Sequence, residues 1–137
     1  MSNPADLNLS ELERKQKLRL ALLMHFYDLK EKHRQPPVTI HAVYQKFPET
    51  EHRPICDALE YLEHEGLLLR KERPSPETYC ITHEGLKEAE QAIEFPDLRT
   101  VHFSQRVVNI YMKTVYLQQG NNNQQVIPSP AENDPKP

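Results

Sequence analysis

The sequence is poor in several features that mark particular classes of protein. Among 137 residues there are two cysteines, three glycines and no tryptophan. Cys56 and Cys80 form no CxxC pair and follow no signal-peptide pattern, so we expect packed, reduced thiols in a cytoplasmic protein. No apolar run approaches the roughly 18 residues that cross a bilayer, and no membrane partner is expected.

An excess of positive charge is also missing. Lys and Arg total 17 against 20 Asp and Glu, which gives a formal net charge of -3 with neutral histidines. The chain as a whole therefore does not attract phosphate backbones. Any contact with nucleic acid has to come from a local group of cations.

Motifs for catalysis and metal binding are absent as well. The chain has no Gly-rich phosphate loop, no nucleophile elbow and no metalloprotease helix motif, so neither an enzyme nor a cofactor is expected. Two pairs, His52 with Cys56 and His64 with His83, resemble zinc ligands in part, and the first has the spacing of four residues on a helix that suits zinc. No third ligand lies at a suitable spacing, so we expect no metal site.

What the sequence does contain is a series of short helical patterns. The motif "SELE" predicts a capping box at Ser10 and a first helix that the prolines at 36 and 37 end. Thr39 predicts the cap of a short second helix, which Pro48 closes. Residues 1–9 are polar and are expected to be disordered.

The stretch up to residue 95 continues with a helix, a hairpin and another helix. Pro54 is expected at the first position of the third helix, and Gly66 at its end. The segments "LLLRKE" and "TYCI" predict two strands around the turn "RPSP". Thr82 predicts the cap of a fourth helix, which Pro96 interrupts. The expected fold class is α+β and mostly helical.

The segment 97–119 keeps a helical seam although it is rich in β-branched and aromatic residues, so we predict an additional C-terminal helix. The preceding domain already has a full set of core faces, which favours a homodimer contact through this seam. Folding back beside the first helix is the alternative. Residues 120–137 lack the apolar content to offset chain entropy and are expected to be a disordered tail. The seam consists of Val101, Val108, Met112 and Val115.

The stretch "LEYLEHEGLLLRKE…YCITHEGLKEAE" resembles the winged helix-turn-helix regulators, particularly those of the MarR and PadR kind. These families have a leucine-spaced helix ending in "EEGLI", a strand, a wing, and "Y-x-L-T-x-x-G" opening the next helix. Tyr79, Ile81, Thr82 and Gly85 occupy the latter pattern, with Ile81 where leucine is commoner. The resemblance covers residues 10–95 and implies a winged helix domain with a two-stranded wing.

The resemblance also implies a function, namely a transcriptional regulator that binds duplex DNA as a homodimer. In these families the third helix enters the major groove, and the wing reaches toward the minor groove or the backbone. We expect the basic first half of helix one to hold phosphates as well. The DNA-binding residues implied at the third helix are His52, Arg53, Cys56 and Asp57, and those implied on the wing are Arg70, Lys71, Arg73 and Ser75.

One departure from the families weighs against DNA. Asp57, Glu60, Glu63 and Glu65 make the exposed side of the third helix acidic, where DNA readers usually carry cationic, amide or hydroxyl side chains. A solvated helix face explains these residues equally well. The wing cations also fit an edge hairpin that charges protect from aggregation. The competing function is a winged-helix module that binds a protein partner and no DNA.

Overall fold

The computed structural model describes residues 9–34, 37–73 and 75–117. The fold class is α+β and mostly helical, as predicted. The elements are helix α1 (Glu11–His33), strand β1 (Val38–Thr39), helices α2 (Ile40–Lys46) and α3 (His52–His64), strands β2 (Leu68–Lys71) and β3 (Thr78–Ile81), helices α4 (His83–Glu94) and α5 (Gln105–Tyr111), and a π-helical turn (Met112–Tyr116).

The predicted helix caps are present. The Ser10 hydroxyl accepts the Glu13 backbone N–H at 3.1 Å, and the Glu13 carboxylate accepts the Ser10 N–H at 3.0 Å. Thr39 and Thr82 each accept the N–H three residues further on, at 3.2 Å and 3.0 Å. These bonds satisfy backbone donors that have no partner within the helix, so α1, α2 and α4 begin where their local sequence predicts.

Helix α3 begins two residues earlier than predicted. Glu51 is the N-cap and His52 the first helical residue, so Pro54 occupies the third helical position rather than the first. Proline is accepted there because the N–H groups of the first turn have no acceptor within the helix. Gly66 follows the helix with φ of 80°, the left-handed conformation expected of it.

The sheet has three antiparallel strands in the order β1-β3-β2 among the described residues. The hairpin of β2 and β3 is confirmed, and it pairs Leu68 with Ile81 and Lys71 with Thr78. Strand β1 was not predicted, because two residues are too few to show an alternation of apolar and polar side chains. Its pairing with β3 attaches the connection between α1 and α2 to the hairpin.

The core is built around the middle of α1. Leu20, Leu22, Leu23 and Met24 are fully buried, and Phe26 nearly so. Successive helical residues point about 100° apart, so three consecutive buried side chains require cover on most sides of the helix. Helices α3, α4 and α5 and strand β3 all contact α1 and supply that cover.

The predicted C-terminal helix is present, but it begins at Gln105 and not at residue 97. Residues 96–104 form turns and a loop, and α5 begins at Gln105 after its N-cap Ser104. The last turn is π-helical. The helical spacing was extended back to residue 97, into a stretch that forms turns instead.

The seam residues do not share one exposed face. Val108 and Met112 are fully buried in the core of their own chain, and Val115 packs against that core. Val101 lies in the loop and is 76% exposed. Because α5 packs on α1, the alternative of folding back is the arrangement observed, and Val108 and Met112 are not available to a second copy.

A buried carboxylate holds the loop of residues 96–104 in place. Glu88 of α4 is only 4% exposed and accepts hydrogen bonds from the Thr100 hydroxyl and, at 2.9 Å, from the His102 backbone N–H. The His102 ring lies 3.0 Å from a carboxylate oxygen of Glu65, just after α3. The loop is therefore fastened to two helices, which satisfies the buried carboxylate.

The ends of the chain were expected to be disordered. Leu9, the last residue of the expected N-terminal segment, is buried, which corrects that boundary. Residues 1–8 and 120–137 lie outside the described residues. Within the described ranges, no helix combines the length and apolarity needed to cross a membrane.

His25 is a half-buried histidine on α1. Its ring makes edge contacts with Phe26 and Phe47, at centroid distances of 5.8 and 5.9 Å. Burial and the charge of Lys46 lower the pKa of His25 to about 4, against a smaller opposing effect of Asp28. The imidazole is therefore neutral at pH 7.

This lowered pKa predicts a loss of stability in acid. The unfolded chain takes up a proton at His25 near pH 6.5, whereas the folded chain resists protonation until about pH 4. Stability should thus decrease as pH falls through this window, by at most about 2 kcal/mol after allowing for solvent screening of the ring. Urea unfolding of the native chain and of His25→Gln, each between pH 8 and pH 4, measures the difference in slope. Equal slopes would contradict the prediction.

Candidate nucleic-acid interface

The start of α3 exposes one cation, Arg53. Its Nε lies 3.9 Å from Oδ1 of Asp57, and the two side chains are 87% and 68% exposed. A pair this long and this exposed contributes little, so a phosphate could displace Asp57 at small cost. Arg53 therefore remains able to bind an anion, although Asp57 reduces the local positive charge.

His52 and Cys56 connect α3 to α2 through Tyr44. The His52 ring stacks on the Tyr44 ring with centroids 3.6 Å apart and planes 3° apart. The Cys56 sulfur lies 3.1 Å from the Tyr44 hydroxyl. The hydrogen bond to Cys56, together with burial, raises the pKa of Tyr44 to about 12. Cys56 is thus used in an internal contact, and its predicted role in binding DNA does not fit the geometry.

Cations from α1 lie beside the start of α3. A groove of about 160 Å³ is lined by Lys15, Leu18 and Arg19 on one side and by Pro54, Asp57 and Ala58 on the other. The Arg19 guanidinium lies 3.7 Å above the centre of the Tyr61 ring, a cation–π contact that holds its position. The basic first half of α1 and the start of α3 therefore form one surface.

Arg70 does not present its charge to solvent. Its guanidinium lies 3.3 Å from Glu63 of α3, 3.1 Å from Glu72 and 3.2 Å from Glu77. The hydrogen bond with Glu77 and the nearby charge of Glu63 raise the pKa of Arg70. One cation is thus shared by three carboxylates, an arrangement that does not fit the predicted role of Arg70 in binding DNA. Its partners belong to other elements, which no local pattern reveals.

The other wing residues are exposed. Lys71, Arg73 and Ser75 all reach solvent. No carboxylate among the residues that the structure describes lies within ion-pair distance of Lys71 or Arg73. Arg70 contacts Glu63 of α3, whereas Lys71, the next residue of the strand, is exposed on the other face. Two cations near the hairpin tip are therefore available to a partner.

The acidic side of α3 is partly neutralised within the molecule. Glu63 is paired with Arg70, whose Nε lies 3.3 Å from its Oε1. Asp57 and Glu60 remain exposed on the helix. The negative charge that meets a partner is therefore smaller than the sequence indicates, but it is not removed.

Within the described ranges, no three His, Cys, Asp or Glu side chains are grouped so as to hold a metal ion. Comparison of the chain with protein-family models, with curated proteins and with solved structures finds no match. A role for this surface consequently has to be argued from its own residues.

The contacts of Arg70 predict a structural role that can be tested. In Arg70→Gln, Glu63, Glu72 and Glu77 lose their shared cation and repel one another, so the melting temperature should fall and amide exchange in β2 and β3 should accelerate. Lys71→Gln is the control, since it removes an exposed cation of the same strand. If both variants melt and exchange alike, the pairing of Arg70 has no structural effect.

Proposed function

We propose that residues 10–95 are a winged helix domain that binds duplex DNA and acts as a transcriptional regulator. The order of the elements supports this, with three helices, a hairpin and a further helix, and a short strand before α2 pairing with the hairpin. This order resembles that of the winged helix-turn-helix regulators. In the proposal α3 faces the major groove, and the loop between β2 and β3 is the wing.

The observation that carries the proposal is the position of the cations. Lys15 and Arg19 line a groove with the start of α3, where Arg53 is exposed, and Lys71 and Arg73 are exposed on the wing. Phosphate contacts provide most of the nonspecific affinity for DNA, and these five side chains could each make one. Ser75 and the exposed edge of His52 remain candidate DNA contacts. Arg70 and Cys56 do not, because both are engaged in contacts within the molecule.

The proposal predicts weak binding that depends strongly on salt. Lys71→Glu/Arg73→Glu should weaken retention of duplex fragments at least about tenfold at low salt and reduce the salt slope by about two. Lys30→Glu/Lys87→Glu is a matched control, because it gives the same net charge through exposed lysines of α1 and α4. Gel shifts across a salt series measure both. Absence of retention by the native chain, or equal losses in both double variants, would contradict the proposal.

A second candidate function is a module that binds a basic protein segment. The exposed Asp57 and Glu60 on α3, together with the neutralised Arg70, favour it. Asp57→Lys/Glu60→Lys separates the two functions. Under the DNA proposal this variant should bind duplex more tightly, because carboxylates that repel phosphates have been replaced by cations. No gain in DNA binding, together with loss of binding to a polylysine peptide, would favour the protein module instead.

The homodimer is also part of the proposal, through a surface that keeps only Val101 of the predicted seam. Three exposed apolar residues lie within seven consecutive positions of the connection between α4 and α5. They are Phe95, Leu98 and Val101, which are 47%, 56% and 76% exposed. We call these three side chains the apolar patch; Glu94 precedes it in the sequence and Arg99 lies within it, and both are exposed and opposite in charge. A twofold interface needs a self-complementary surface, and a patch with both signs of charge meets that requirement.

The dimer surface predicts a specific effect of polar substitution. Leu98→Asp/Val101→Asp should shift the native chain from dimer to monomer, since two carboxylates would be buried without partners at the interface. Leu12→Asp, which changes a side chain 57% exposed at the start of α1, serves as the control. Light scattering after size exclusion gives the mass. A monomeric native chain at high concentration would contradict the proposed interface.

A further inference from the structure

A cavity of about 380 Å³ lies between α1, the end of α2 and the π-helical turn. This volume falls in the lower part of the range of roughly 300–1,000 Å³ that small-molecule sites occupy. Met24, Leu29 and Val115 provide apolar walls. Asp28 and Lys46 bring one negative and one positive charge to the same cavity.

The polar groups that line the cavity retain hydrogen-bonding capacity that no described residue satisfies. His25 makes ring contacts but no hydrogen bond with any described residue. It is close enough to both Lys46 and Asp28 to be influenced by their charges. A neutral imidazole that lines the same cavity as these charges can donate one hydrogen bond to a ligand and accept another.

The π-helical turn forms one side of the cavity. Such turns are rare and often occur at functional sites. The Tyr116 hydroxyl donates to Oδ1 of Asp28 at 2.7 Å, and the Lys32 ammonium lies 3.5 Å from the same oxygen. Both contacts involve Oδ1, so the second carboxylate oxygen, Oδ2, can accept a hydrogen bond from a ligand.

We propose that this cavity binds a small zwitterion of the α-amino acid class. The ligand carboxylate would pair with Lys46 and its ammonium with Asp28, while its side chain would lie against Met24, Leu29 and Val115. A simple anion would leave Asp28 without a ligand contact, and a simple cation would leave Lys46 without one. A molecule with both charges and no net charge matches the cavity.

The cavity does not involve the proposed DNA-binding residues, but the connection from α2 to α3 links the two. Lys46 ends α2, and Phe47, which also lines the cavity, begins the short connection to α3. A ligand held by Lys46 would restrain that connection and thus the position of α3. Binding can be measured without DNA, so failure of the regulator proposal leaves this inference open to its own test.

The inference is tested with the full chain and each standard L-amino acid in turn. The shift in melting temperature and the heat of binding in a calorimetric titration are measured. At least one amino acid with an apolar side chain should raise the melting temperature and bind saturably. For leucine, 4-methylpentanoate lacks the ammonium and 3-methylbutylamine lacks the carboxylate, and analogues of this kind should bind at least about tenfold more weakly than the parent. Lack of binding by any amino acid, or equal binding of a one-charge analogue, would overturn the inference.

Variants identify the site. Lys46→Gln, an exposed position whose change should leave the fold intact, is expected to weaken binding at least about tenfold, and Asp28→Asn should do the same. Lys30→Gln and Glu31→Gln are the matched controls, since both are exposed on the last turns of α1. Native affinity in Lys46→Gln would place the ligand elsewhere and overturn the assignment.

Discussion

The burial of the middle of α1 is the constraint on which the rest of the structure depends. Leu22, Leu23 and Met24 point in three directions and are all fully buried, so one neighbouring layer cannot cover them. Helix α3 and the sheet cover part of this surface, and α4 and α5 cover the remainder. The cost of exposing three large apolar side chains, about 1.5–3 kcal/mol each, explains why the C-terminal segment packs on its own domain instead of remaining available to another chain.

Because the core encloses the middle of α1, the residues of this helix that could bind a partner or a ligand lie toward its two ends. The first half of α1 emerges from the core with Lys15 and Arg19 beside α3, whereas its last turns carry Asp28 toward the π-helical turn. A single helix therefore contributes to both the proposed DNA surface and the proposed ligand cavity.

The features that the sequence predicts correctly are those determined by neighbouring residues. Capping at Ser10, Thr39 and Thr82 depends on bonds across three positions, and the hairpin of β2 and β3 follows from two short apolar segments around a proline-rich turn. The features that were missed depend on distant partners. Arg70 meets carboxylates from α3 and from the other side of the hairpin, and strand β1 exists only because β3 is next to it. The helical spacing of Val108 and Met112 was real, but spacing does not say which surface will cover it.

The bonds to Glu88 have a consequence for how the chain could associate. Thr100 and His102, the residues on either side of Val101, both donate hydrogen bonds to that carboxylate, and the His102 ring also contacts Glu65. The backbone at Val101 is therefore held in place within the monomer. When a binding segment is flexible, it loses conformational entropy on association, and this loss weakens the complex. Here the immobilisation is already complete when the monomer folds, and a patch of only three apolar side chains can bind more strongly than its modest size implies.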